Sequence, residues 1–207
     1  MKAFAYVDGF NLYYRALKNT PHRWLDLNAL LSRVYPRFEF ATIRYFTARV
    51  KPGPRDPDQR TRQEVYLRAL RTLPNLRIHY GHFTSHRVWL PFAEGAEFSP
   101  KFAEVVKTEE KGSDVNLAAH LVNDAHLQAF DVAIVVTNDS DLVEPIRIVT
   151  NQVGLRVGVL NPCRQPAGGL KKAASFYRIL RPSILPKAHF PAVLTDSRGR
   201  FSKPENW

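Results

Sequence analysis

The chain has 207 residues, 44% of them hydrophobic and 24% charged. That composition fits one α/β-sized domain with its own core, or a domain plus an appendage, and excludes a disordered or fibrous chain. Lys and Arg number 30 against 19 Asp and Glu, a formal charge of +11, which favours a polyanionic partner, nucleic acid foremost.

Cys163 is the only cysteine, so no intrachain disulfide forms and a reducing compartment is expected. Asp8 interrupts the first apolar run too early for a signal peptide. No segment approaches the ~20 apolar residues of a membrane span. The expectation is a cytoplasmic protein without a membrane partner.

In chain order, AFAYV (3–7) reads as a strand that breaks at Asp8-Gly9. Helices follow over 11–18 and 26–35, the second capped by Asp26 or Asn28. TIRYFTARV (42–50) is β-branched and aromatic, hence a strand. A loop holding three prolines (51–59) leads to a helix over 59–73 and a strand over 76–83. Residues 84–100 are aromatic without a clean period, which suggests an irregular insertion with room for a hairpin. Residues 105–112 lead into a helix at 113–127. DVAIVVT (131–137) is continuously apolar up to Thr137, the pattern of a strand buried on both faces of a parallel sheet. A helix (141–151), a strand (155–160), a helix (168–176) and a strand (177–180) complete the alternation. This implies a three-layer α/β/α domain with a mostly parallel central sheet over 1–181. Residues 182–207 are Pro-rich yet keep Phe190, Val193, Leu194, Phe201 and Trp207, so an extension packed on the domain is expected.

Ligands of open parallel sheets bind beyond the carboxyl ends of the strands. Asp8 ends the first strand, Asp139 and Asp141 follow the strand at 131–137, and Asp114 opens a helix. If those strands are neighbours, four carboxylates converge on one edge. Their repulsion is relieved by a hard divalent cation, Mg²⁺ or Mn²⁺, which takes oxygen ligands and activates water beside a phosphoryl group. Taken singly, each acid has a plainer reading: Asp139 or Asp141 as a helix cap, Asp114 as a first-turn acid, Asp8-Gly9 as a turn. The common edge is what joins them.

YVDGFNLYY (6–14), KTEEKGSDVNLAAHLV (107–122) and VVTNDSDLVEPI (135–146) resemble the three signatures of NYN-domain proteins, the LabA-like branch of the PIN superfamily of nucleases. The resemblance runs over roughly residues 1–180. It implies a PIN-like sheet and a metal-dependent ribonuclease centre leaving 5′-phosphate and 3′-hydroxyl ends. Asp8, Asp114, Asp139 and Asp141 match the metal-binding acids, with Asn11 as a polar helper. In the mechanism this implies, Asp8, Asp139 and Asp141 hold the ion and Asp114 orients the attacking water. Many members carry a further acid six residues after the aspartate matched by Asp114; here that position is His120, which puts a second metal in doubt.

Lys111 and Ser140 stand near these acids and are candidate substrate contacts. Between Arg49 and Arg71, seven basic residues (49, 51, 55, 60, 62, 68, 71) face three acids (56, 58, 64). This makes a candidate backbone-binding face, with Arg49, Arg60 and Arg68 in it. Lys171 and Lys172, near a helix start, are further candidates for phosphate contact. Tyr13, Tyr14, Tyr45, Phe46, Trp89 and Phe92 are candidates for stacking on bases, Trp89 and Phe92 foremost. The histidines form no zinc pattern, and neither G-x-x-x-x-G-K-[ST] nor G-x-G-x-x-G occurs. The sequence therefore predicts a metal-dependent ribonuclease acting on single-stranded or structured RNA, with DNA not excluded. The rivals are a non-catalytic RNA-binding module with a vestigial acidic pocket and a phosphoesterase of small substrates. Oligomeric state and any antitoxin-like regulator are left open.

Overall fold

The structure, a computed structural model, describes residues 1–53, 56–92, 101–165, 167–205 and 207. Six strands form one parallel sheet in the order β3-β2-β1-β6-β7-β8. These are β1 (Lys2–Asp8), β2 (Glu39–Thr47), β3 (Leu76–Tyr80), β6 (Val132–Val136), β7 (Arg156–Asn161) and β8 (Phe176–Ile179). β1 and β6 are the central neighbours, and every residue of β6 is buried. With both faces covered, a strand has no solvent side to mark with polar residues.

Helices cover the two faces. On one lie α2 (Leu27–Val34) and α3 (Gln59–Leu70), whose Leu27, Leu30, Leu31, Leu67 and Leu70 pack with Ala3, Ala5 and Val7 of β1. Phe4 and Tyr6 point to the other face, against Leu117 and Leu121 of α4 (Ser113–His126) and Ile146 of α5 (Val143–Arg147). The two-residue alternation of β1 thus feeds two separate cores, each buried leucine contributing about 2 kcal/mol. Asp26 caps α2, its Oδ1 accepting the Ala29 N–H at 3.0 Å.

Several expected elements differ. The strand at 76–83 stops at Tyr80, and its last residues begin a separate two-stranded hairpin of β4 (His82–Pro91) with β5 (Phe102–Lys111). Residues 84–91 and 105–111, read as irregular insertion and helix approach, are therefore strands; of the rest of that insertion, 93–100 lies outside the described residues. The hairpin stands off the main sheet with most side chains exposed on both faces, so neither face needs the alternation that would betray it. Gly81 marks its base: a Cβ there would lie 2.2 Å from Glu110 Oε1 and 2.5 Å from the Lys111 carbonyl. The helix expected at 141–151 is broken into a 3₁₀ turn (Ser140–Leu142), α5 and a wider π-type coil (Ile148–Val153). The helix expected at 168–176 shrinks to α6 (Leu170–Ala173), because Phe176 already opens β8.

Beyond β8 the chain turns through a 3₁₀ segment (Pro182–Lys187) and a small hairpin of β9 (Val193–Asp196) with β10 (Gly199–Ser202). Leu185, Ala188 and Phe190 are buried there, and the Trp24 indole donates to the Pro191 carbonyl at 2.8 Å. Arg68 of α3 grips Asp196 through two hydrogen bonds, and Trp207 lies against Tyr66. Among the described residues, no helix is long and apolar enough to cross a membrane.

Candidate active site at the carboxyl edge of the sheet

β1 ends on Asp8, which caps the next helix, α1 (Gly9–Leu12), continued as a wider coil over Tyr13–Leu17. Asp8 Oδ1 accepts the Asn11 backbone N–H at 2.9 Å, and Oδ2 accepts the Thr137 hydroxyl at 3.2 Å. Gly9 is required for this closeness: a Cβ would stand 2.6 Å from the Tyr45 ring and 2.7 Å from the Phe46 carbonyl.

The neighbouring strand, β6, supplies the opposite wall. Thr137 Oγ accepts the Asp139 backbone N–H at 3.0 Å, and Asp139 Oδ1 accepts that of Asp141 at 3.0 Å. Asn11 binds the two strand ends together, its Oδ1 accepting the Asn138 N–H at 2.9 Å. Asn138 in turn takes bonds from Asn161 Nδ2 and Ala167 N, each at 2.8 Å, and its Nδ2 donates to the Gln165 carbonyl at 3.1 Å.

Asp139 and Asp114 both lie within electrostatic reach of Asp8. Burial above all pushes the Asp8 carboxyl up to about 6; the charges of Asp139 and Asp114 add to it, against the hydrogen bonds from Asn11 and Thr137. Asp114 sits half-buried in the first turn of α4, and Asp141 stands on the exposed rim beside Ser140. The donors are carboxylate oxygens, the set that suits a hard divalent cation. They are spread wider than one coordination sphere: among the described residues no three His, Cys, Asp or Glu side chains gather closely enough to hold an ion. A largely hydrated ion held by one or two carboxylates fits this spacing, which is how Mg²⁺ is commonly bound.

His120 packs on aromatic rings, including that of Phe46, the residue opposite Asp8 in the β1–β2 register. Its ring packs 4.2 Å from that of His79 and 5.8 Å from that of Phe46. Asp124, one turn further along α4, is unavailable to a metal. It is 4% exposed and accepts from Tyr6 Oη at 2.7 Å and from Arg44 Nε and Nη2 at 2.7 and 2.9 Å. Burial and the charges of His120 and Arg44 push His79 down to about 4. Sequence reasoning left Asp124 without a role; the only signals for this polar knot are Tyr6 and Arg44 inside strands. Thr137, Asn138 and Asn161 were likewise missed, although each is a polar residue closing an apolar strand.

Three of the seven basic residues of the expected face are paired with acids. Arg49 pairs with Glu64 at 2.7 Å and lies over the Tyr80 ring; Arg62 pairs with Asp56; Arg68 holds Asp196, the Gly199 carbonyl and the Phe201 ring. Arg68, expected as a substrate contact, thus fastens the C-terminal hairpin. Arg60 is exposed, and Arg55 lies outside the described residues. Lys111 ends β5, 3.5 Å from Glu109, and Lys171 and Lys172 are exposed on α6. Of the stacking candidates, Tyr45 and Phe46 are core, while Tyr14, Trp89 and Phe92 are exposed. Tyr13 and Tyr14, with Phe10, Tyr45, Tyr66 and Trp207, line a narrow cleft of about 60 Å³ beside Gly9.

A parallel six-stranded sheet with acids on its carboxyl edge defines a PIN-like α/β domain, and the chain belongs to the NYN domain family, whose model matches residues 2–180. It is also similar to the 6-hydroxy-3-succinoylpyridine 3-monooxygenase HspA of Pseudomonas putida. The two are 29% identical over 231 residues, covering 98% of this chain and 74% of that protein. A crystal structure of a protein of unknown function from Vibrio parahaemolyticus shares the fold. Its TM-score is 0.57 at 17% identity, over 87% of this chain and 93% of that one.

Proposed function

We propose that the chain is a Mg²⁺- or Mn²⁺-dependent ribonuclease whose centre is Asp8, Asp139 and Asp114, with Asp141 contributing from the rim. The observation that carries this reading is the convergence of three acids from two adjacent strand ends and a helix start, in which the charges of Asp139 and Asp114 add to the rise that burial imposes on Asp8. Convergent carboxylates cost stability unless something positive answers them. A divalent ion held by Asp8 and Asp139 would supply that charge and would also draw density from a phosphoryl oxygen. The protein's own groups do the rest. Thr137 and Asn11 fix the Asp8 carboxylate and the strand ends in place. Asp114 takes the proton of the attacking water as the new O–P bond forms; the P–O3′ bond breaks and the 3′ oxygen is protonated from solvent. In this reading the catalytic unit is 1–181, with 182–207 packed on it, and the protein works in the cytoplasm.

Cleavage of labelled mixed-sequence RNA by the purified protein tests the proposal. Cutting is expected with Mn²⁺ and is expected to vanish with EDTA or in Asp139→Asn. Cutting that survives both would overturn it, and RNA bound but never cut would favour the non-catalytic module.

A second reading follows from the HspA likeness and the aromatic cleft beside Asp8: oxygenation of a hydroxylated pyridine. The cleft's 60 Å³ is well below the ~150 Å³ of an apolar cavity that accepts benzene, so Tyr14 or Trp207 would first have to move. Dioxygen consumption with 6-hydroxy-3-succinoylpyridine and a two-electron donor would establish this reading over the nuclease.

A further inference from the structure

Arg15, Arg164 and Arg181 are far apart in sequence, yet they line one groove of about 640 Å³. Each follows a carboxyl end of the main sheet: Arg15 on the coil after β1, Arg164 after β7, Arg181 after β8. All three are exposed, none is ion-paired among the described residues, and no Asp or Glu lines the groove. A short hydrogen-bonded link joins the groove to the acidic edge. Arg164 precedes Gln165, whose carbonyl accepts from Asn138, the residue beside Asp139.

We infer that this groove carries the sugar-phosphate backbone of single-stranded RNA to or from the aspartate centre. Three uncompensated guanidiniums along a concave path neutralise successive phosphates, and guanidinium matches phosphate by paired N–H donors. Asn19, on the same wall, adds a neutral donor. The inference rests on the ribonuclease reading for its ligand, but not on catalysis.

Location distinguishes this groove from other basic surface. Arg33, Arg37 and Arg178 line a second acid-free hollow of about 580 Å³, which also contains Pro36 and Phe38, the residues leading into β2, at the amino end of the strands. There Arg178 already donates to the Val34 carbonyl at 2.8 Å and lies over Tyr35. Arg33 and Arg37 therefore serve as a control at the opposite edge, matched in charge to the pair Arg15 and Arg181.

Cys163 lies in the wall of the inferred path and is the chain's only cysteine, so its alkylation reports occupancy of this groove alone. The experiment uses a mixed-sequence single-stranded RNA in EDTA, which prevents metal-dependent cutting, with N-ethylmaleimide labelling followed by intact mass. Saturating RNA is expected to slow Cys163 labelling at least tenfold. Arg15→Glu/Arg164→Glu/Arg181→Glu is expected to weaken RNA binding by about a hundredfold and to flatten the log Kd against log salt slope by about 2. Arg33→Glu/Arg37→Glu should change each by less than the charge-matched pair Arg15→Glu/Arg181→Glu. If the charge reversals disturb folding, the corresponding Gln variants replace them. Unchanged labelling under saturating RNA, or equal losses in both pairs of variants, would overturn the groove. Protection without any Mn²⁺-dependent cleavage would leave the groove standing and remove the nuclease; cleavage without protection would do the reverse.

Discussion

The outer face of α3 and the groove at Arg15, Arg164 and Arg181 are both arginine-rich, and they differ in what the arginines touch. On and beside α3, three of the basic side chains are paired with acids in the folded chain: Arg49 with Glu64, Arg62 with Asp56, Arg68 with Asp196. In the groove, arginines from three separate loops meet with no carboxylate among them. A local surplus of positive charge is therefore a weaker guide to a polyanion site than the absence of counter-charge around each cation. The first kind of arginine holds the fold; the second is free to bind.

The strongest test of the holding role is Arg44, the most enclosed of the paired arginines. Asp124→Ala would leave its guanidinium without a carboxylate in a mostly buried site, and chemical denaturation should show a loss of about 3 to 5 kcal/mol. Asp8 gives the opposite case, a largely enclosed acid with no ion pair among the described residues. Its folded value of about 6 lies above its ordinary 3.8. The protonated form therefore favours folding below about pH 4, and that benefit is lost as pH rises through 6. Asp8→Asn is expected to stabilise the metal-free protein at pH 8 by up to about 3 kcal/mol, and by nearly nothing at pH 4, while abolishing cleavage. Denaturant midpoints in EDTA at the two pH values check this, and a constant difference between them would remove burial of the charge as the cause. Smaller effects are expected on α3. Arg68→Ala should lower the melting temperature, because it frees the β9–β10 hairpin, and should leave RNA affinity within about twofold. The smallest shift is expected for Arg60→Ala, which breaks no ion pair: unchanged melting and a loss of RNA affinity of twofold or less, read by fluorescence anisotropy.

The fold was legible where burial leaves a one-dimensional trace. The unbroken apolar run of β6 and the alternation of strands with helices carried the parallel sheet and its layers. The β4–β5 hairpin was legible only as room for a hairpin within an irregular insertion, because its exposed faces remove the period that marks a strand. At the acidic edge, Asp8 and Asp139 could be nominated from strand ends, since parallel topology sends those ends to one side, whereas Asp114 opens a helix and was nominated as such. The ties that orient them, from Thr137 and Asn11 to Asn138 and Asn161, depend on which strands are neighbours. Only the folded register supplies that. The groove arginines were invisible for the same reason: residues 15, 164 and 181 share no window of sequence.

The C-terminal segment has a consequence for the chain as a whole. Phe190 fills space against Trp24, Trp207 covers Tyr66, and the Pro191 carbonyl accepts from the Trp24 indole. These contacts resemble a peptide ligand seated in a receptor that happens to be covalently joined to it. A single proteolytic nick after Arg181 should then yield two fragments that stay associated, and the smaller one, added back as a synthetic peptide, should rescue the larger in a dose-dependent way.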